Sequence, residues 1–211
     1  TVGRAIPVAW HLLAGNQPGA FLEPTLALLS ALAPVATDRR VLLLADRGLW
    51  SPQLADHATA LGWQPLLRVQ RHISVWLRRG QRRRADTLVA GPGHAWVGRV
   101  VVHKDRVRRR VQTLLVVWVE GHAEPWVLLT TGPVTDADLL AYGLRMWIEA
   151  GFRDLKRLGW QWERTRRRDP VRAARHLLVL AVATLWCVAH AGLPPTHPHA
   201  GPPPTSPALS A

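Results

Sequence analysis

The chain has 211 residues, 48% of them apolar, enough to fold around a substantial core and too many for a wholly disordered chain. Its net charge of +13, from 25 arginines and 2 lysines against 14 acidic residues, points to a polyanionic partner, nucleic acid first and an anionic membrane surface second. A single cysteine, Cys187, excludes an intrachain disulfide, suggests no thiolate metal site and reads as a buried small hydrophobe. Arginine's planar fork suits bidentate phosphate contacts, although GC-rich coding gives the same bias.

In chain order, "GRAIPVAWHLL" is apolar with β-branched and aromatic content and predicts a strand. It has no charged n-region or cleavage site of a signal peptide, so a cytoplasmic, nucleoid-associated protein is expected. "PGAFLEPTLALLSALAP" predicts a helix with prolines near its start and stop. "RRVLLLADRG" is a continuous apolar run ending in Asp46 and a glycine turn, the pattern of a strand buried on both faces. "SPQLADHATALGW" predicts a helix capped by Ser51 with Pro52 at its first position, and "QPLLRVQ" a further strand. Alternating strand and helix argue for an α/β layer fold over residues 1–72.

From residue 73 to 133 the character changes. "ISVWLRRG", "AWVGRVVVH", "RVRRRVQTLLVVWVE" and "PWVLLTTG" read as strands of a β-rich insertion, with arginine runs at 82–84 and 106–110 in its connections. Those runs are either solvated loops or phosphate-tracking segments. Residues 134–192 predict two helices. Asp136 is a candidate cap for the first; the second starts near Asp169-Pro170 and ends at Gly192. Its apolar stretch, 13 residues at 177–189, reads as a buried helix too short to span a bilayer. Residues 193–211 form a Pro-rich tail expected to be disordered; its H-x-H pair, His197 and His199, makes a poor metal site.

The first of these helices carries "YGLRMWIEAGFRDLK". At about 100° per residue, Tyr142, Arg145, Glu149 and Lys156 fall within a stripe roughly 60° wide and about 21 Å long. Leu140, Leu144, Trp147, Ile148, Phe152 and Leu155 form a separate apolar face. A solvated face with ordinary i,i+4 partners would also produce this pattern. Asp46 at a strand end and Glu149 on a helix, among many arginines, suit a divalent-metal phosphoryl-transfer site built from oxygen ligands. A turn aspartate bonding its own loop is the plainer reading of Asp46.

The spacing Y-x2-R-x3-E-x6-K at Tyr142, Arg145, Glu149 and Lys156 resembles the signature of bacterial insertion-sequence transposases of the DDE class, in the insertion-sequence-four group. "LLLADRG" resembles the strand of that family's second catalytic Asp, "PWVLLTTGP" the end of its β insertion, and "GRAIPVAW" an early strand; the resemblance covers residues 3–192. It implies an RNase H-like α/β fold with a β-rich insertion between the second-Asp strand and the Glu helix. It further implies Mg²⁺ or Mn²⁺, two ions, with Asp46 and Glu149 as catalytic metal ligands. Tyr142, Arg145 and Lys156 would hold DNA and Trp126 would stack an extruded base, unless Trp126 is a core residue. The implied partners are transposon ends and target DNA, with a homodimer in the synaptic complex and no membrane. The family's first Asp belongs on a strand upstream of "GRAIPVAW", and the acids before Asp46, Glu23 and Asp38, stand in no matching context. The expectation is therefore the C-terminal part of a catalytic domain, lacking its first strand or strands and inactive alone, or else a non-catalytic DNA-binding remnant.

Overall fold

The computed structural model describes residues 5–13, 21–102, 109–135 and 141–191. Helix α1 (Leu22–Leu32) precedes strand β1 (Leu42–Ala45) and helix α2 (Pro52–Ala60). The Ser51 hydroxyl accepts the Leu54 amide at 3.0 Å, and Pro52 occupies the position where a missing N–H costs nothing. Helix α2 returns the chain so that strand β2 (Gln64–Arg68) runs parallel to β1, with Leu42 beside Gln64 and Ala45 beside Leu67.

Five more strands follow: β3 (Ser74–Trp76), β4 (Arg82–Arg84), β5 (Ala95–Val102), β6 (Arg110–Val117) and β7 (Trp126–Thr130). All seven form one mixed sheet in the order β1-β2-β7-β6-β5-β3-β4. The joint lies where β7 pairs antiparallel with both β2 and β6, so the strands after residue 73 extend the sheet that β1 and β2 begin.

Strand alternation sorts the core. Leu67, Leu129 and Leu114 stand in one row across β2, β7 and β6. Leu67 packs with Leu29, Leu54, Ala55 and Ala58 of α1 and α2, while Leu114 and Leu129 join Val75, Val100 and Val102. The opposite parity puts Leu66, Leu115 and Leu128 on the other face, beneath Tyr142. Asp46, Arg68 and Trp126 share that second parity, because Ala45 and Leu67 belong to the first. The sheet thus assigns one face to the α1–α2 layer and the other to the candidate chemistry.

Several expectations change. Residues 5–13 form no strand. Pro7 lacks an N–H for a ladder, and the Ala5 amide donates instead to the Trp147 carbonyl at 3.4 Å. The segment runs so close to Gly151 that a Cβ there would lie 3.1 Å from the Ala5 carbonyl oxygen. Among the described residues β1 is an edge strand paired with β2; Leu43 packs on one face and Leu42 and Leu44 on the other, but only partly, and of its residues Ala45 alone is fully buried, so the expected two-sided burial holds only in part. Arg82–Arg84 is the other edge strand and fully exposed, where the sequence suggested a connection. Helix α3 (Arg145–Arg153) buries none of its residues, and Leu144 and Phe152 of its expected apolar face are exposed.

Helix α4 (Pro170–Ala191) starts where expected, with Asp169 Oδ1 accepting the Arg172 amide at 2.7 Å. It is far from buried: Leu178, Val179, Val182, Leu185, Trp186 and Cys187 are exposed, so Cys187 is no core residue. The 13-residue apolar run lies inside a helix of 22 residues that is long and apolar enough, by length and composition alone, to cross a membrane. Asp136 and residues 192–211 lie outside the described residues.

Leu115 is fully buried beneath Tyr142. Leu115→Ala is expected to cost about 2–5 kcal/mol of stability, read from the urea midpoint. A cost below 1 kcal/mol would mean that this face of the sheet is not packed.

Candidate active site

Asp46 follows directly on β1, at the C-terminal end of the parallel β1–β2 pair, where open α/β sheets leave a crevice. Its Oδ1 accepts the Arg47 amide at 2.6 Å, and its carbonyl accepts the Leu49 amide at 3.0 Å. Both bonds belong to a tight turn, so the plain turn role is real. The second carboxylate oxygen is used differently: Oδ2 lies 3.6 Å from Arg145 Nη1.

Arg145 opens α3, and its Nη2 donates to Glu149 Oε1 one helical turn later, at 2.5 Å. One guanidinium therefore ties the strand-end aspartate to the helix glutamate. Both carboxylate side chains are about half exposed (50% and 53%), whereas Arg145 is 20% exposed. Pairs this wet contribute little to stability, on the order of 0–1 kcal/mol.

Tyr142 sits one turn before Arg145 and is buried on Leu66, Leu115 and Leu128. Its hydroxyl makes no well-formed hydrogen bond among the described residues, although the Arg145 guanidinium comes near enough to favour its ionised form. Burial raises the phenol above its ordinary value of 10.0, with the nearby Arg145 and Arg68 charges opposing that rise. Trp126, first residue of β7, meets the Tyr142 ring edge-on at 5.3 Å and His122 at 5.3 Å. Arg68, His122, Glu124, Trp126, Tyr142 and Arg145 line a cleft of about 260 Å³. An aromatic wall with guanidinium groups at its rim matches a flat base attached to a phosphate.

Lys156 does not join this cleft. The helix is interrupted at Leu144, just after Gly143, and gives way to a π-helical turn, Asp154–Leu158, that carries Lys156. Arithmetic at 100° per residue assumes an unbroken α-helix, so the single stripe expected of the four residues does not form. Tyr142 turns into the core, Arg145 lines the cleft and bonds the exposed Glu149 outside its lining, and the exposed Lys156 ammonium lies 5.8 Å from the Phe152 ring centre. The sequence reading missed Arg68, His122 and Glu124. Arg68 left a trace, a charge closing an apolar strand; His122 and Glu124 occupy a hairpin connection whose spatial neighbours no local pattern encodes.

Asp46 and Glu149 offer hard oxygen donors open to water, with the Arg145 guanidinium between them. Hard divalent cations take such oxygen donors, and the smaller ones keep several waters. Among the described residues no group of three or more His, Cys, Asp or Glu side chains converges, so a second ion would need a further ligand.

The buried Tyr142 hydroxyl makes two predictions. Its folded-state pKa is raised, so the associated stability is complete below pH 10 and falls as pH rises through the higher folded value. Tyr142→Phe is expected to flatten the alkaline loss of stability in denaturant titrations. At neutral pH it should leave stability unchanged or slightly higher, because an unpaired buried hydroxyl is removed. A neutral-pH loss above 1 kcal/mol would mean that the hydroxyl is bonded after all.

No curated protein matches the chain in sequence. The family profile described as the transposase DDE domain matches residues 20–186, a span containing Asp46, Trp126, Tyr142, Arg145, Glu149 and Lys156. With most of its length matched, the chain belongs to the transposase DDE domain family.

Proposed function

We propose that the chain carries the catalytic region of an insertion-sequence transposase that hydrolyses DNA at transposon ends and transfers the freed strand end to target DNA. The observation that carries this reading is the convergence of Asp46 and Glu149, distant in sequence, on the Arg145 guanidinium. In it Asp46 and Glu149 hold the divalent cation, Mg²⁺ or Mn²⁺. The bound ion would supply charge stabilisation at the scissile phosphate and an activated oxygen nucleophile. Arg145, displaced toward the phosphate, and Lys156 position the backbone, Trp126 stacks a base turned out of the duplex, and the Tyr142 hydroxyl donates to the strand beside it.

Two ions require a third carboxylate, supplied from outside the described residues. The same reading makes the sheet an RNase H-like core, with residues 73–133 as an insertion that returns through β7 to pair with β2. It further implies the insertion-sequence-four branch, a homodimeric synaptic complex and a nucleoid-associated place of action.

A second reading, a non-catalytic DNA-binding remnant, is favoured by the lack, among the described residues, of any group of three carboxylates that could hold a metal ion. Supercoiled plasmid incubated with the 211-residue chain and Mg²⁺ or Mn²⁺ tests the two. The catalytic reading expects nicking that Asp46→Ala and Glu149→Gln each reduce by about a thousandfold, the scale for removing a group that stabilises transition-state charge, with duplex affinity within about twofold. Such nicking rules out the remnant, whereas salt-sensitive DNA binding without nicking fits both the remnant and a catalytic region that lacks its third carboxylate. Nicking that survives both substitutions removes the two carboxylates from the chemistry.

A further inference from the structure

Beside the cleft, three arginines converge on one carboxylate. Arg47 Nη1 and Arg68 Nη2 donate to Glu124 Oε1 at 3.2 and 3.1 Å, and Arg71 Nη1 lies 3.6 Å from Oε2. They come from separate places: Arg47 from the turn after β1, Arg68 from the end of β2, Arg71 from the turn beyond it, and Glu124 from the β6–β7 connection. One negative charge cannot balance three positive ones, so the cluster keeps an excess of two. Arg68 is the most buried member, at 14% side-chain exposure, while Arg71 at 52% opens to solvent. Arg68 and Glu124 also line the cleft with Trp126 and Arg145.

We propose that Glu124 is an internal anion seated in a three-arginine phosphate site, and that a backbone phosphate of bound DNA displaces it. The inference rests on the reading that this protein binds DNA through the adjoining cleft. A carboxylate and a phosphodiester each present two oxygens and one negative charge, and guanidinium N–H groups donate to either through the same charge-assisted bonds. The seated carboxylate keeps the three arginines gathered while the cleft is empty. Its ion pairs are partly hydrated and therefore weak enough to exchange. Duplex DNA supplies many competing charges and gains counterion release when it binds. Glu124 then acts as a threshold against stray anions: a ligand must bring phosphate and also satisfy the neighbouring cleft.

The test is a double-mutant cycle on the full chain, read by fluorescence anisotropy of a short labelled duplex at fixed low salt. Melting temperatures confirm that each variant is folded, and Glu124→Ala repeats the cycle if Glu124→Gln is not. Glu124→Gln is expected to tighten binding about fivefold, the scale of one partly exposed ion pair given up. In the Arg71→Ala background the same substitution should gain less than about twofold, because the vacated seat has lost one wall. An equal gain in both backgrounds would reduce the effect to bulk charge and overturn the inference. Weaker binding by Glu124→Gln would make Glu124 a structural clasp and overturn it as well. If the unaltered chain binds no duplex at low salt, the DNA reading itself fails, an outcome distinct from either of these.

Discussion

The Arg145 guanidinium is the constraint on which the site depends. Helix α3 buries none of its residues, so apolar packing does little to fix it against the sheet. The contact from Arg145 to Asp46, with the turn below holding Glu149, sets the helix glutamate beside the strand aspartate. Tyr142 provides the apolar part of the same anchorage, seated on Leu66, Leu115 and Leu128 one turn earlier. A polar clasp above an aromatic peg positions a helix while leaving the clasp open to exchange. A site that must admit both a cation and a polyanion needs that arrangement.

Much of the scaffold was legible in the sequence because its signals are local. Ser51-Pro52, Asp169-Pro170 and the apolar run at Leu42–Ala45 each encode their structure within a few residues, and all three stand where expected. What escaped is decided by partners distant in the chain. Residues 5–13 have strand-like composition but no strand beside them among the described residues, and the Ala5 amide turns to a helix carbonyl. The interruptions after Gly143 and at Asp154–Leu158 are likewise invisible to a wheel drawn with one angular step. Site residues followed the same division. Spacing brought out the Arg145–Glu149 pair, whereas the Arg47, Arg68, Arg71 and Glu124 cluster is assembled by a parallel strand pair and a hairpin.

Helix α4 was misjudged for a related reason. Composition distinguishes apolar from polar helices but not those covered from those left open. Its Leu178, Ala181, Val182 and Leu185, with Ile6, Pro7, Val8 and Trp10 alongside, border a groove of about 290 Å³. Among the described residues nothing covers this apolar strip, which is why composition alone misjudged the helix.

The sheet's outer edge has a consequence of its own. β4 is three arginines in succession, all exposed, at the free end of a seven-stranded sheet. An unpaired strand is a template for joining another copy of itself, and like charges on that strand make such a union repulsive. The arginines along this edge thus work against joining a second copy strand to strand, although Arg84 spends part of its charge on Asp86.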